Sequence, residues 1–156
     1  MFAKILVPLD GSALSAQALA MAQNLERSSQ TSLHLLQVIS LRAELDALHD
    51  VGGESVTMLE MAQDAARQLR EAQRARGEVY LEGLAVPLRH AGIAVTTALR
   101  EGAADEQIVA YAAEHDIDLI VMTTHGYGGL KRFFLGSVTD RVIRAGQTPV
   151  LVLPAS

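Results

Sequence analysis

The 156-residue chain contains no cysteine and no tryptophan, and only four prolines. Without cysteine there are no disulfides, no thiol redox chemistry and no thiolate metal site. Few prolines beside 49% hydrophobic residues describe a compact globule, not a disordered chain. No apolar run approaches the ~20 residues that span a bilayer. The opening MFAKILVPLDGS lacks the basic region, apolar core and small-residue cleavage site of a secretory signal. A cytoplasmic protein with no membrane partner is expected. Excess positive charge is also missing: 13 Lys and Arg stand against 18 Asp and Glu, a net charge of −5. Nucleic-acid binding needs a basic face, so none is expected. Lys131-Arg132 is the one obvious basic pair in its loop and too small a footprint. Repeats, low-complexity tracts and linkers are absent, and residues 1–156 read as one domain.

What is present is an alternation of apolar strands and helical patterns. Strands are expected at Phe2–Leu9, Ser32–Ile39, Ile93–Leu99, Ile117–Met122 and Pro149–Leu153. Helices are expected at Ser12–Arg27, with Ser12 as N-cap, and at Ala103–His115, with Asp105 and Glu106 in its first turn. A long pattern from Thr57 to His90 carries Met58, Ala62, Ala65, Leu69, Leu81, Leu84 and Leu88, with a break or kink expected at Gly77 and Pro87. The last helix is expected at Gly136–Ala145, and residues 40–56 read as a loop able to move. Near-continuous apolar strands alternating with helices predict a parallel sheet covered on both faces. Right-handed crossovers then set every strand C-terminus on one edge, where such sheets bind ligands.

The most informative stretch is LIVMTTHGYGGLKRFFLGS, Leu119 to Ser137. A buried strand opens into a glycine-rich loop, and the loop closes where a helix begins. Glycines allow backbone N–H groups close to an anion, and a helix N-terminus adds unpaired ones. Gly126, Gly136 and Ser137 are therefore candidate phosphate ligands, the Ser137 hydroxyl adding a donor. The same residues read more plainly as a surface turn and a serine cap. The loop is neither a P-loop nor the dinucleotide fingerprint. Asp10, ending the first strand before Gly11, is either a ligand acceptor for ribose or an adenine amino group, or a turn-forming residue. His125 is more simply a solvated bystander than a phosphate ligand or acid–base group. His34, His49, His90 and His115 lack the spacing or carboxylate pairing of a metal site. Met58, Met61 and Met122 read as core filler, and Asp116 and Asp118 as turn and solubility residues. No nucleophile–base set assembles, and Ser137 lacks the G-x-S-x-G elbow.

VPLDGS near the start, THGYGGLKRFFLGSVTDRVI and the terminal TPVLVL together resemble the universal stress protein family over essentially the whole chain. The resemblance implies an α/β Rossmann-like, adenine nucleotide alpha hydrolase-like fold: an open sheet of five parallel strands in order 3-2-1-4-5 with helices on both faces. It implies a homodimer through the C-terminal strand. One branch of the family binds ATP through G-x-x-G, nine residues, then G-[ST]. Gly126, Tyr127–Leu135 and Gly136-Ser137 match its latter part, while Thr123 occupies the first glycine position. The resemblance places Pro8, Leu9 and Asp10 beside adenosine, Val38 against adenine, and Met122 and Thr123 beside the ribose and α-phosphate. Val138 and Thr139 continue the phosphate cradle. Mg2+ or Mn2+ would be held by the phosphates and water more than by side chains.

The expected function is a nucleotide-dependent stress-response binding or signalling module with an unknown protein partner. A slow ATPase or (auto)phosphotransferase, using the hydroxyls of Ser137 and Thr139, is the enzymatic alternative. A dimeric scaffold without nucleotide is the third, and Thr123 is its best support.

Overall fold

The computed structural model describes residues 2–25, 31–40, 56–124 and 135–154. It contains β1 (Lys4–Leu9), α1 (Ala13–Leu25), β2 (Ser32–Ile39), α2 (Val56–His90), β3 (Ala94–Glu101), α3 (Ala104–Glu114), β4 (Leu119–Thr123), α4 (Ser137–Ala145) and β5 (Val150–Leu153). The strands form one sheet in the order β3-β2-β1-β4-β5, and every pairing is parallel. The expected fold class is what the chain adopts.

Strand alternation splits the core in two. Ile5, Val7, Leu33, Leu35, Leu119 and Val121 face α1 and α2, meeting Ala18, Leu19, Ala22, Leu81, Ala85 and Leu88. Leu6, Leu36, Ile120 and Met122 face the other way, onto Ile108, Tyr111, Ala112 and Val142 of α3 and α4. Both faces are buried, which is why the strands read as continuous apolar runs. Strand order reverses between β1 and β4, and this puts a crevice at their carboxyl ends.

Helix α2 departs from expectation in two ways. It runs unbroken for 35 residues through Gly77 and Pro87. Gly77 sits where the helix touches the sheet: a Cβ there would lie 2.8 Å from Leu99 Cδ1 and 3.0 Å from Gln37 Oε1. It is a close-approach residue, not a breaker. Pro87 forfeits one hydrogen bond, yet the C-terminal turn holds, with the Ala91 amide donating to its carbonyl. A helix of this length reaches about 52 Å, twice the about 26 Å of an eight-residue strand. Its N-terminal half therefore overhangs the sheet. Met58 and Met61 lie on that half and are 60% and 69% exposed, so they are not core filler, whereas Met122 is buried at 7%.

Asp118 also differs from its expected role. Its Oδ2 accepts the amides of Ala3 and Lys4, each at 2.8 Å, and its own amide donates to the Lys4 carbonyl. These bonds pin the start of β1 beside β4. They hold the Asp118 carboxyl below its ordinary pKa, the Lys4 amide bond contributing most.

Candidate functional site

At the reversal point lies a cavity of about 140 Å3. The end of β1 supplies Pro8, Leu9 and Asp10, β2 supplies Leu36 and Val38, and β4 supplies Met122 and Thr123. Ala104 and Ile108 of α3, Val138 and Thr139 of α4, and Ser15 of α1 complete the wall. Apolar side chains dominate it, with Asp10, Ser15, Thr123 and Thr139 as the polar exceptions, the usual character of a small-ligand site.

Eight residues singled out in the sequence meet here: Pro8, Leu9, Asp10, Val38, Met122, Thr123, Val138 and Thr139. Gly136 and Ser137 lie immediately beside it as the N-cap and first residue of α4. His125 and Gly126 fall outside the described residues, as do Lys131 and Arg132, most of the 40–56 segment and the glycine loop itself. Ser15, Leu36, Ala104 and Ile108 were not singled out. Leu36 carried a usable signal, two residues before Val38 on the same sheet face. The two α3 residues gave none, because only the crossover brings that helix over the cavity.

Asp10 forms the expected turn and also lines the cavity. Its Oδ1 accepts the Ser12 amide at 2.9 Å and the Ser12 hydroxyl at 2.6 Å. Gly11, at φ +83°, makes the turn that a side chain would strain. Ser12 then caps α1, its Oγ accepting the Ser15 amide at 3.1 Å. Burial pushes the Asp10 carboxyl upward in pKa, but the Ser12 hydroxyl and amide bonds outweigh it and hold the group below its ordinary value. Asp10 is therefore a carboxylate at neutral pH, fixed at the rim of the cavity.

Three helix N-termini converge on this rim, and they are not equivalent. The N-terminus of α1 is capped by Ser12. That of α3 carries Asp105 and Glu106 in its first turn, which offset its dipole. That of α4 begins after Gly136, like α3 without a side-chain cap, and its one first-turn acid, Asp140, is paired with Arg144. The Gly136 amide donates to the Thr124 carbonyl, so it closes the two ends of the loop on each other. The next amides, of Ser137, Val138 and Thr139, lie in the first helical turn, where no intrahelical acceptor exists. Thr139 Oγ1 donates to the Thr123 carbonyl at 3.0 Å in a buried setting. Among the described residues no cluster of three or more His, Cys, Asp or Glu can hold a metal ion. No helix among them is long and apolar enough to cross a membrane.

A parallel sheet of this order, with a cavity at its switch point edged by an uncapped helix N-terminus, defines a Rossmann-like α/β protein. Residues 1–154 match the family described as the Universal stress protein family, and the chain belongs to it. Universal stress protein YxiE of Bacillus subtilis is 31% identical over 160 residues, covering 98% of this chain and 99% of that protein. The solved structure of MJ0577 from Methanocaldococcus jannaschii is 27% identical, with a TM-score of 0.84 over 100% of this chain and 98% of that one. A universal stress protein solved in complex with cAMP shares the fold at 23% identity and a TM-score of 0.57, covering 99% and 98% of the two chains.

Proposed function

We propose that this chain is an ATP-binding, nucleotide-dependent stress-response module that acts as a homodimer on a protein partner. The observation that carries the reading is that one cavity is lined both by the Asp10 carboxylate and by Val138 and Thr139 of the first turn of α4. A carboxylate accepts hydrogen bonds from ribose hydroxyls or an adenine amino group, and it repels phosphate. An uncapped helix N-terminus does the reverse. Together they give the site a polarity that matches a nucleotide. The apolar wall of Val38, Met122 and Ile108 suits a flat base.

The cavity volume of about 140 Å3 is below the roughly 300–1,000 Å3 that holds a whole drug-sized ligand. The base would therefore fill the cavity, and the phosphates would run outside it along Ser137, Val138 and Thr139. Pro8 and Leu9 would border adenosine, and Thr123 the α-phosphate side. His125, Gly126 and Gly136 would complete the loop around the phosphates, Gly136 by shaping the turn, since its amide is committed to Thr124. Mg2+ or Mn2+ would be held by phosphate oxygens and water.

The homodimer reading rests on the sheet edges. At the β3 edge Arg89 Nε donates to the Val95 carbonyl at 3.2 Å, and the Thr97 hydroxyl donates to Glu82 at 2.8 Å. The opposite edge is β5, a run of Val and Leu, and an apolar edge strand is a ready template for a second chain.

Calorimetry on nucleotide-stripped protein tests the site. Heat with ATP and magnesium, at micromolar affinity, is expected. Absence of heat would overturn the nucleotide reading and leave the dimeric scaffold. Absorbance at 260 nm is a second check, since the chain has three tyrosines and no tryptophan.

A further inference from the structure

We propose that the buried hydrogen bond between His34 and Tyr111 is a proton-sensitive latch joining the two walls of the cavity, so that protonation of His34 weakens ligand binding there. The ligand half of this inference rests on the nucleotide reading above.

His34 Nδ1 and the Tyr111 hydroxyl lie 3.0 Å apart, both side chains buried. The bond joins β2 to α3, and each partner sits just behind a cavity residue. His34 precedes Leu36 by two residues, so both point to the same side of the sheet. Tyr111 follows Ile108 by three residues, so both lie on one face of α3. Leu36 and Ile108 line the cavity. The latch therefore sits one pleat and one turn behind the site, on the two elements that must keep their spacing for the wall to fit a ligand.

The bond suits a neutral imidazole. One proton shared between Nδ1 and the phenol oxygen satisfies both groups. A doubly protonated ring has donors only, so the phenol would have to turn its own proton elsewhere. The surroundings oppose a charge as well. From β1 comes Lys4, whose ammonium donates to the His115 carbonyl at 2.8 Å. From the end of α3 comes His115, its ring centroid 5.8 Å from that of His34 and 4.0 Å from that of Tyr111. From β3 comes Arg100, 4.8 Å from the Tyr111 ring centroid and paired with Glu114 of α3. Asp118, before β4, is occupied by the amides of Ala3 and Lys4. Burial, then His115, then Lys4, hold the His34 pKa below its ordinary value. Mild acid therefore drives a proton into a place built for a neutral ring, and release of His34 from Tyr111 relieves the conflict. By linkage, a ligand that needs the latched walls must lower the His34 pKa further.

The test pairs nucleotide binding with a ligand-free readout, on the full chain. The phosphates of ATP titrate in the same range, so His34→Gln is the reference: its amide oxygen accepts from Tyr111 but takes no proton. From about pH 7.5 to about one unit below the His34 imidazole midpoint read by NMR, wild-type affinity for ATP is expected to fall at least about five-fold more than that of His34→Gln. Tyr111→Phe, which keeps both imidazoles, should lose the extra fall, and His115→Gln should retain it. In the ligand-free protein, methyl NMR signals of Leu36 and Ile108 should move with the His34 imidazole midpoint, and should not move in His34→Gln. Methyl signals that ignore that midpoint overturn the latch, whether or not ATP binds. An extra fall that vanishes in His115→Gln also overturns it. If ATP binds at neither pH while the methyl signals follow His34, the nucleotide reading fails and the latch stands.

Discussion

The hydroxyl of Thr139 donates to the carbonyl of Thr123 at 3.0 Å, joining the first turn of α4 to the last residue of β4. Each residue also lines the cavity. One buried bond thus closes the glycine-rich connection at its base and sets where the α4 N-terminus points. Thr139→Val keeps the shape and removes the donor. It should destabilise the fold by about 1–3 kcal/mol, because a buried carbonyl loses a partner. Thr139→Ser should recover most of that loss. Urea midpoints at neutral pH measure both.

Asp10→Asn should leave the turn folded and reduce ATP affinity about ten-fold, the loss of one charge-assisted hydrogen bond. An unchanged affinity in calorimetry would remove Asp10 from the ribose side of the site.

Stability should decline in two stages on acidification. The unfolded chain protonates His34 near pH 6.5, while the folded chain resists because burial, His115 and Lys4 disfavour the charge. The unfolded state therefore binds more protons as pH drops below 6.5, and stability falls through that window. Asp10 and Asp118 act lower down. Their folded-state pKa values lie below the ordinary 3.8, so their contributions are present above it and vanish as pH falls further. Chemical denaturation from neutral to acid pH should show the first stage in wild type and not in His34→Gln.

Two glycines on α2 should respond unequally to alanine. At Gly83 a Cβ meets nothing within 4 Å, so Gly83→Ala should stabilise by about 1 kcal/mol through helix propensity. At Gly77 the same atom would press on Leu99 and Gln37, so Gly77→Ala should gain less or lose stability. Thermal melts that rank Gly77→Ala above Gly83→Ala would contradict the close packing of α2 on the sheet.

Replacing Val150 and Val152 with lysine puts charge into the β5 edge and should yield monomers by light scattering. A persistent dimer would move the interface elsewhere.

Much of the architecture is legible in the chain because its signals are local. Apolar runs such as Leu119–Met122 mark strands buried on both faces, and the Asp10-Gly11-Ser12 turn announces the end of β1 and the cap of α1. The site is half legible. Pro8, Val38, Met122 and Thr139, which the family resemblance places at a nucleotide site, all line the cavity. Three expectations misread what only packing sets. Gly77 and Pro87 do not break α2, Met58 and Met61 do not enter the core, and Asp118 is a clamp on β1. Periodicity gives the face of a helix but not how far it outruns the sheet.

By itself, then, the sequence determined the order of elements, the parallel sheet and the edge at which its loops gather, since hydrophobic period and turn chemistry depend on near neighbours. Tertiary structure alone decided that α3 walls the cavity, that the Gly136 amide turns to Thr124, and that His34 meets Tyr111 across 77 residues. Those pairings join residues far apart in the chain, and they exist only once crossovers have stacked the helices on the sheet.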